Sequence, residues 1–285
     1  MNPYRIDGPA VISFSGGRTS AYMLRKILDA HDGRLPEDVV VQFANTGKER
    51  EETLVFVHEC GERWGVPIVW LEYFVTGHPK SPRDLASAES FRVVSFETAA
   101  RGGEPFEAAI RLRGYLPGAG LRYCTELLKL RTQARHAQSL GWTEWTRIVG
   151  LRADEQRRVS KARNRGHDHG DTLCPLATTH VTEADVLAFW REQLFDLGLK
   201  SYEGNCDVCY LKAFSKRVQL ARDNPSMFDW WIEQERWAES IGAKSDRFAP
   251  NEPSYSATRA FARDQIRLPI VANDDGDALP CACTD

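Results

Sequence analysis

The sequence predicts an α/β protein built on a doubly wound parallel sheet, with a helical, cysteine-bearing C-terminal part. Two observations predict it. Between Pro9 and about Tyr73, short apolar runs alternate with amphipathic stretches in the order strand, helix, strand, helix, strand. That order requires parallel pairing through crossover helices. A further apolar run, Thr146-Arg147-Ile148-Val149-Gly150-Leu151, follows a basic amphipathic stretch and reads as another strand.

The elements follow in order. Ala10-Val11-Ile12-Ser13-Phe14 is a buried strand, followed by a Gly-rich turn and a helix from about Thr19 to Ala30. Val39–Ala44 is the second strand, Glu52–Trp64 the second helix with Gly65 as its stop, and Pro67–Leu71 the third strand. From Thr76 to Leu121 the pattern loosens, with several Gly and Pro residues, and reads as an insertion or lid with some helix. Periodicity returns in a helix over Thr125–Leu140, ended by Gly141. Thr182 with Asp185 caps a helix running to about Leu197. Asn224-Pro225 opens another, on which Phe228, Trp231, Ile232 and Trp237 form a core-packing stripe. The tail from Pro250 reads as irregular and ends in Cys281-Ala282-Cys283-Thr284-Asp285. The expected division is a nucleotide-binding α/β domain over 1–217 and a helical extension with a flexible tail over 218–285.

With 42% hydrophobic and 27% charged residues, the 285-residue chain has the balance of a globular protein. A formal net charge of −3 argues against a general polyanion binder. No apolar run reaches the roughly 18 residues of a membrane span, and the N-terminus lacks the apolar core of a secretory signal. A reducing cytoplasmic setting follows, in which the seven cysteines are ligands, nucleophiles or buried thiols rather than disulfides.

Ser15-Gly16-Gly17-Arg18-Thr19-Ser20 directly after the first strand is the most specific local pattern. Glycines let the backbone approach an anion, and the first amides of the following helix lack intrahelical acceptors. Ser15 and Ser20 add hydroxyl donors and Arg18 a positive charge. The bland alternative is a tight turn.

This Ser-Gly-Gly-x-x-Ser loop resembles the PP-loop of N-type ATP pyrophosphatases and sulfonucleotide reductases, the adenine nucleotide alpha-hydrolase-like proteins. Asn45-Thr46-Gly47-Lys48-Glu49, followed by Glu52-Thr53, resembles the "NTG…E…T" stretch of the PAPS-reductase-like branch. Gly150-Leu151-Arg152-Ala153-Asp154-Glu155-Gln156-Arg157-Arg158 resembles that family's G-x-R-x-x-E-x-x-R segment. The resemblance spans roughly residues 9–216. It implies an adenine nucleotide, ATP or adenylyl sulfate, held by Ser15–Ser20, Asn45, Thr46, Gly47, Glu49 and Glu155. Arg152 and Arg158 would face its phosphate or sulfate end, a role that suits the planar guanidinium fork. One departure stands out: many ATP-cleaving members carry Asp, thought to help hold magnesium, where this chain has Thr19.

Cys124, Cys174, Cys206 and Cys209 form a second constellation. The C-x2-C pair at 206 and 209 places two thiolates within reach of one metal, and two separated cysteines can complete four-fold sulfur ligation. Iron–sulfur, structural zinc and reduced buried thiols are the alternatives. The surroundings of Cys124, of Leu173-Cys174-Pro175-Leu176 and of Tyr202-x-Gly-x-Cys-x-x-Cys resemble those of adenylyl-sulfate reductases, which implies a [4Fe–4S] cluster on these four residues. Cys60, inside an amphipathic helix, reads as a small buried apolar residue.

Sulfonucleotide reduction needs a thiolate that attacks sulfur, then a second, thioredoxin-like reductant to resolve the product. The family's C-terminal Glu-Cys-Gly-Leu-His is absent here. Cys281 and Cys283 could replace it, bind metal, or belong to an inert tail. The alternative chemistry is adenylation by ATP followed by thiolation of a nucleic acid or small molecule, which the basic run from Arg152 to Arg165 favours. A third alternative is a non-catalytic nucleotide-binding module with structural zinc. His167 and His169, in Gly-His-Asp-His-Gly, read as exposed loop residues.

Overall fold

A computed structural model describes residues 2–77 and 84–265. The strands are β1 (Ala10–Ser13), β2 (Val39–Asn45), β3 (Ile68–Val75), β4 (Glu89–Val94), β5 (Thr146–Val149) and β6 (Thr172–Leu173). They form one sheet in the order β4-β3-β2-β1-β5-β6. All neighbours are parallel except the β3–β4 pair. The helices are α1 (Arg18–Ala30), α2 (Glu51–Trp64), α3 (Leu85–Ala88), α4 (Glu104–Arg113), α5 (Tyr123–Thr125), α6 (Thr132–Ser139), α7 (Gln156–Arg165), α8 (Pro175–Thr178), α9 (Glu183–Arg191), α10 (Phe214–Asp223), α11 (Asp229–Ser240) and α12 (Tyr255–Asp264). Among the described residues no helix is long and apolar enough to cross a membrane.

Alternation along β1 explains why both sheet faces are covered. Ala10 and Ile12 pack with α1, α2 and Ile148 in the first core. Val11 points the other way, to Ala137 of α6 and Trp145. A second core joins α4, α10, α11 and α12 around Phe106, Trp231, Phe248 and Tyr255, and it takes in Cys206 and Cys209. The expected stripe is real: Phe228, Trp231 and Ile232 are buried, and Trp237 packs half-buried against them.

Several expectations need correction. The described part of the stretch 76–121 holds, besides helix α4, the edge strand β4, which the sequence reading did not expect. Arg92 interrupts that strand's apolar pattern and pairs with Glu72 of β3, while Val93 faces solvent, so it lacks a buried strand's run. The capping box of Thr182 and Asp185 forms as expected, but α9 stops at Arg191. The tail is helical over α12, whose cap is Ser254, accepting from the Ala257 amide at 3.1 Å. Replacing Ser254 by alanine is expected to cost about 1 kcal/mol, read as a lower urea midpoint with an unchanged m-value. Cys281 and Cys283 lie outside the described residues.

His136 of α6 is buried against Gln42 of β2, with Nδ1 2.8 Å from the amide nitrogen. Burial holds its imidazole below the usual histidine range. The unfolded chain therefore takes up this proton first, near the ordinary value of about 6.5, and stability falls as pH drops through that value. Melting temperatures measured from neutral to mildly acidic pH should fall less steeply in His136→Gln than in the parent.

Candidate functional site

The order β2-β1-β5 puts a topological switch at the carboxyl end of β1, where the chain leaves to either side and open α/β sheets bind ligands. Three of the predicted motifs meet there. After Ser13, the chain turns through Gly16 at φ +76°, where a Cβ would lie 2.7 Å from the Thr53 methyl group. Only glycine fits both restrictions. Ser20 closes the loop. Its hydroxyl donates to the Gly17 carbonyl at 2.9 Å and receives the Ser15 amide at 3.2 Å and the Ser15 hydroxyl at 3.0 Å. No side chain caps α1 and no acidic residue lies in its first turn, an arrangement suited to an anion.

The motif after β5 folds over this helix start. Gly150 permits the approach, since a Cβ there would stand 3.0 Å from the Ser20 Cα. Arg152 then donates from Nη1 to the Thr19 hydroxyl at 3.2 Å and pairs with Asp154 at 2.9 Å. Glu155 accepts the Arg152 amide at 3.0 Å and pairs with Arg158, so it binds the two arginines together. Thr19, the position of the departure from ATP-cleaving members, thus receives a cation's hydrogen bond. Arg18 sits differently from expectation: Asp196 takes its guanidinium in two hydrogen bonds of 2.6 Å, neutralising the charge offered to a phosphate.

The second loop, Asn45–Glu49, is buried. Asn45 donates to Glu72 at 2.7 Å and to the Ala100 carbonyl at 2.8 Å, and accepts the Gly47 amide at 3.0 Å. Glu49 accepts from the Thr46 amide and hydroxyl at 2.8 and 2.7 Å, with Lys129 at 3.4 Å.

The sequence reading missed the residues that tie the C-x2-C loop to the loops after β1 and β2. Asn205 donates to the Ser15 carbonyl at 2.9 Å, and its own carbonyl accepts the Arg50 amide at 2.7 Å. Glu49 and Cys206 form an isolated antiparallel bridge. Beneath them, buried Lys48 pairs with buried Asp207 at 2.9 Å, and Asp207 also accepts the Trp231 indole N–H at 2.9 Å. The available signal was Asn205-Cys206-Asp207, where Asn and Asp flank a cysteine in a turn-prone stretch.

Cys206 and Cys209 are buried in the second core, and Cys124 packs against it with Sγ 3.1 Å from the Tyr210 hydroxyl. Cys174 packs instead with Val149, Leu151, Val159 and Ala162. Among the described residues, no three His, Cys, Asp or Glu side chains are grouped to hold a metal ion. Cys60 is fully buried in α2, and burial pushes its thiol well above the usual range, in keeping with an inert packing role. His167 and His169 are half-buried, contrary to expectation, because both stack against the buried Trp145 ring.

No model of a known protein family matches the chain. Over 218 residues it is 31% identical to the nin region protein ORF290 of Escherichia phage lambda, which covers 76% of this chain and 71% of that protein. The chain belongs to the ORF290 family. MJ0066 of Methanocaldococcus jannaschii is 23% identical over 235 residues, 80% of this chain. The chain spans 41% of MJ0066, so that relative carries a large further part. Both relatives are described as uncharacterized, and membership of the ORF290 family brings no activity with it.

Proposed function

We propose that the chain is a PAPS-reductase-like enzyme whose Ser15–Ser20 loop and α1 N-terminus bind the phosphate or sulfate end of an adenine nucleotide. One observation carries the reading. Thr19, Arg152 and Asn205, from three distant segments, converge on one loop at the carboxyl end of β1. The open amides of α1 supply the positive potential that such an end requires, and Arg152, held there by Asp154, Glu155 and Glu183, places hydrogen-bond donors beside it.

The chemistry that best fits the resemblance is reduction of adenylyl sulfate. A cysteine thiolate, assigned to Cys283 with Cys281 as its neighbour, attacks sulfur. The bond from sulfur to the bridging oxygen breaks and AMP leaves. A second thiol then releases sulfite and forms a disulfide, which a thioredoxin-like dithiol reduces.

Incubation with adenylyl sulfate or ATP, in the presence of a dithiol, tests the reading. Sulfite and AMP from adenylyl sulfate support it. Pyrophosphate from ATP would instead select adenylation and thiolation, for which the basic helix α7 offers a nucleic-acid contact. Turnover of neither, with nucleotide still bound, would reduce the chain to a binding module. Iron, sulfide and zinc contents of protein purified without oxygen decide separately whether the cysteines hold metal.

A further inference from the structure

A cavity of about 370 Å³ lies on the sheet face opposite α1. Its walls come from α6, from the Trp145–Val149 run of β5, and from the end of α7 with the loop after it. The register pairs Ala10 with Thr146 and Ser13 with Val149. Trp145 therefore stands at the opposite end of β5 from Gly150 and the phosphate loop. The volume lies within the range of small-molecule sites, roughly 300–1,000 Å³.

The lining is cationic in a chain whose net charge is −3. Arg131, Arg135, Arg147 and Lys161 line it with two carboxylates, Glu126 and Asp168, and Arg131 pairs with Glu126 at 3.1 Å and with the buried Glu89 at 3.6 Å. Arg135 gives Nη2 to the buried Glu89 at 2.9 Å, while its Nη1 is buried without a hydrogen-bond partner. Such a donor is costly to leave unmade. Lys161 is exposed at the rim.

The far wall is aromatic. His169 stacks on Trp145 with centroids 4.3 Å apart at 15°, and His167 lies against the same indole at 5.5 Å. The loop carrying them is docked along β5, where the Trp145 amide donates to the His169 carbonyl and the Arg147 amide to the Asp171 carbonyl, both at 2.9 Å. Burial, then the nearby Arg147 charge, hold the His167 imidazole below its usual range. A neutral imidazole beside arginines offers a hydrogen bond without adding a second buried charge.

We propose that this cavity is a second ligand site, distinct from the phosphate loop, for a small phosphate-bearing ligand with a planar heterocycle, of mononucleotide size. Arginine and lysine take the phosphate, and the heterocycle extends the ring stack, as nucleobases do on aromatic side chains. The inference stands apart from the proposed reaction and uses none of its residues.

Proton NMR of the histidine rings in the full chain reads the site directly, with His167→Gln assigning the His167 signals among the seven histidines. AMP should shift the His167 and His169 ring signals in a saturable way and bind at least about tenfold more tightly than inorganic phosphate. Lys161→Glu and Arg131→Gln should each weaken that response by about tenfold, while Gly16→Val, which removes the phosphate loop, should leave it intact. Three results would overturn the inference: ring signals unmoved by millimolar AMP, an unchanged response in both cavity variants, or phosphate binding as tightly as AMP. The last would leave an anion site with no preference for a heterocycle.

Discussion

Lys48→Met should lower the stability of the chain by about 3–5 kcal/mol, the cost of leaving a buried charge uncompensated. Lys48 and Asp207 are both nearly inaccessible, and the ammonium also lies 5.1 Å over the Trp230 ring. Asp207 cannot relax into water, because the Val208 amide and the Trp231 indole N–H hold Oδ1 inside the second core. Removing the charge on both sides should recover part of the loss. In Lys48→Met with Asp207→Asn, the two effects should fall short of their sum by about 1 kcal/mol or more, as for residues in one network. Urea unfolding of the parent, both single variants and the double variant measures this. A single-variant cost below about 1 kcal/mol would place the pair among exposed ion pairs of little consequence.

Gly16→Val should abolish nucleotide binding while the chain remains folded. The left-handed conformation at Gly16 costs a side chain roughly 1–2 kcal/mol, and the new atoms collide with Thr53 and Val57 of α2, adding about 1–3 kcal/mol. The loop can relieve this only by moving its amides away from the anion. Gly33 is the control, since it too has a positive φ, +84°, but nothing lies within 4 Å of the position a Cβ would take. Gly33→Ala should cost about 1 kcal/mol and leave affinity alone. Titration calorimetry with ATP and with adenylyl sulfate separates the two variants. Undiminished affinity in Gly16→Val would remove the phosphate loop from the proposed function.

What could be read in the sequence follows from how local each signal is. β1, α1, β2 and α2 carry unbroken apolar periodicity and their own stop signals, so they were found nearly to the residue. β4 was hidden because an edge strand needs only one buried face, and Arg92 with its Glu72 partner mimics a loop. α12 was hidden because its anchor is tertiary: Tyr255 is buried on Phe228, Trp231 and Phe248, all from distant segments. At the site, glycines and motif arginines could be named in advance, since conformational demand and charge are properties of the residue. Their partners could not. That Arg18 meets Asp196, or that Asn205 crosses to Ser15, depends on where the loop after α9 returns. The same holds for the cysteines, whose spacing does not say that Cys174 packs with Val149, Leu151 and Val159 while Cys206 and Cys209 enter the second core.

The place of β1 also sets a timetable. Its first neighbour, β2, lies close by in the chain, but its second, β5, begins only at Thr146. As the chain emerges from the ribosome, the strand destined for the centre must wait with one edge unpaired until that segment is made. Long-range parallel pairing of this kind is slow, and an open apolar edge recruits other strands. Nascent chains halted before Thr146 should therefore be captured by chaperones or aggregate, whereas those extended past Val149 gain the partner that covers the second edge of β1.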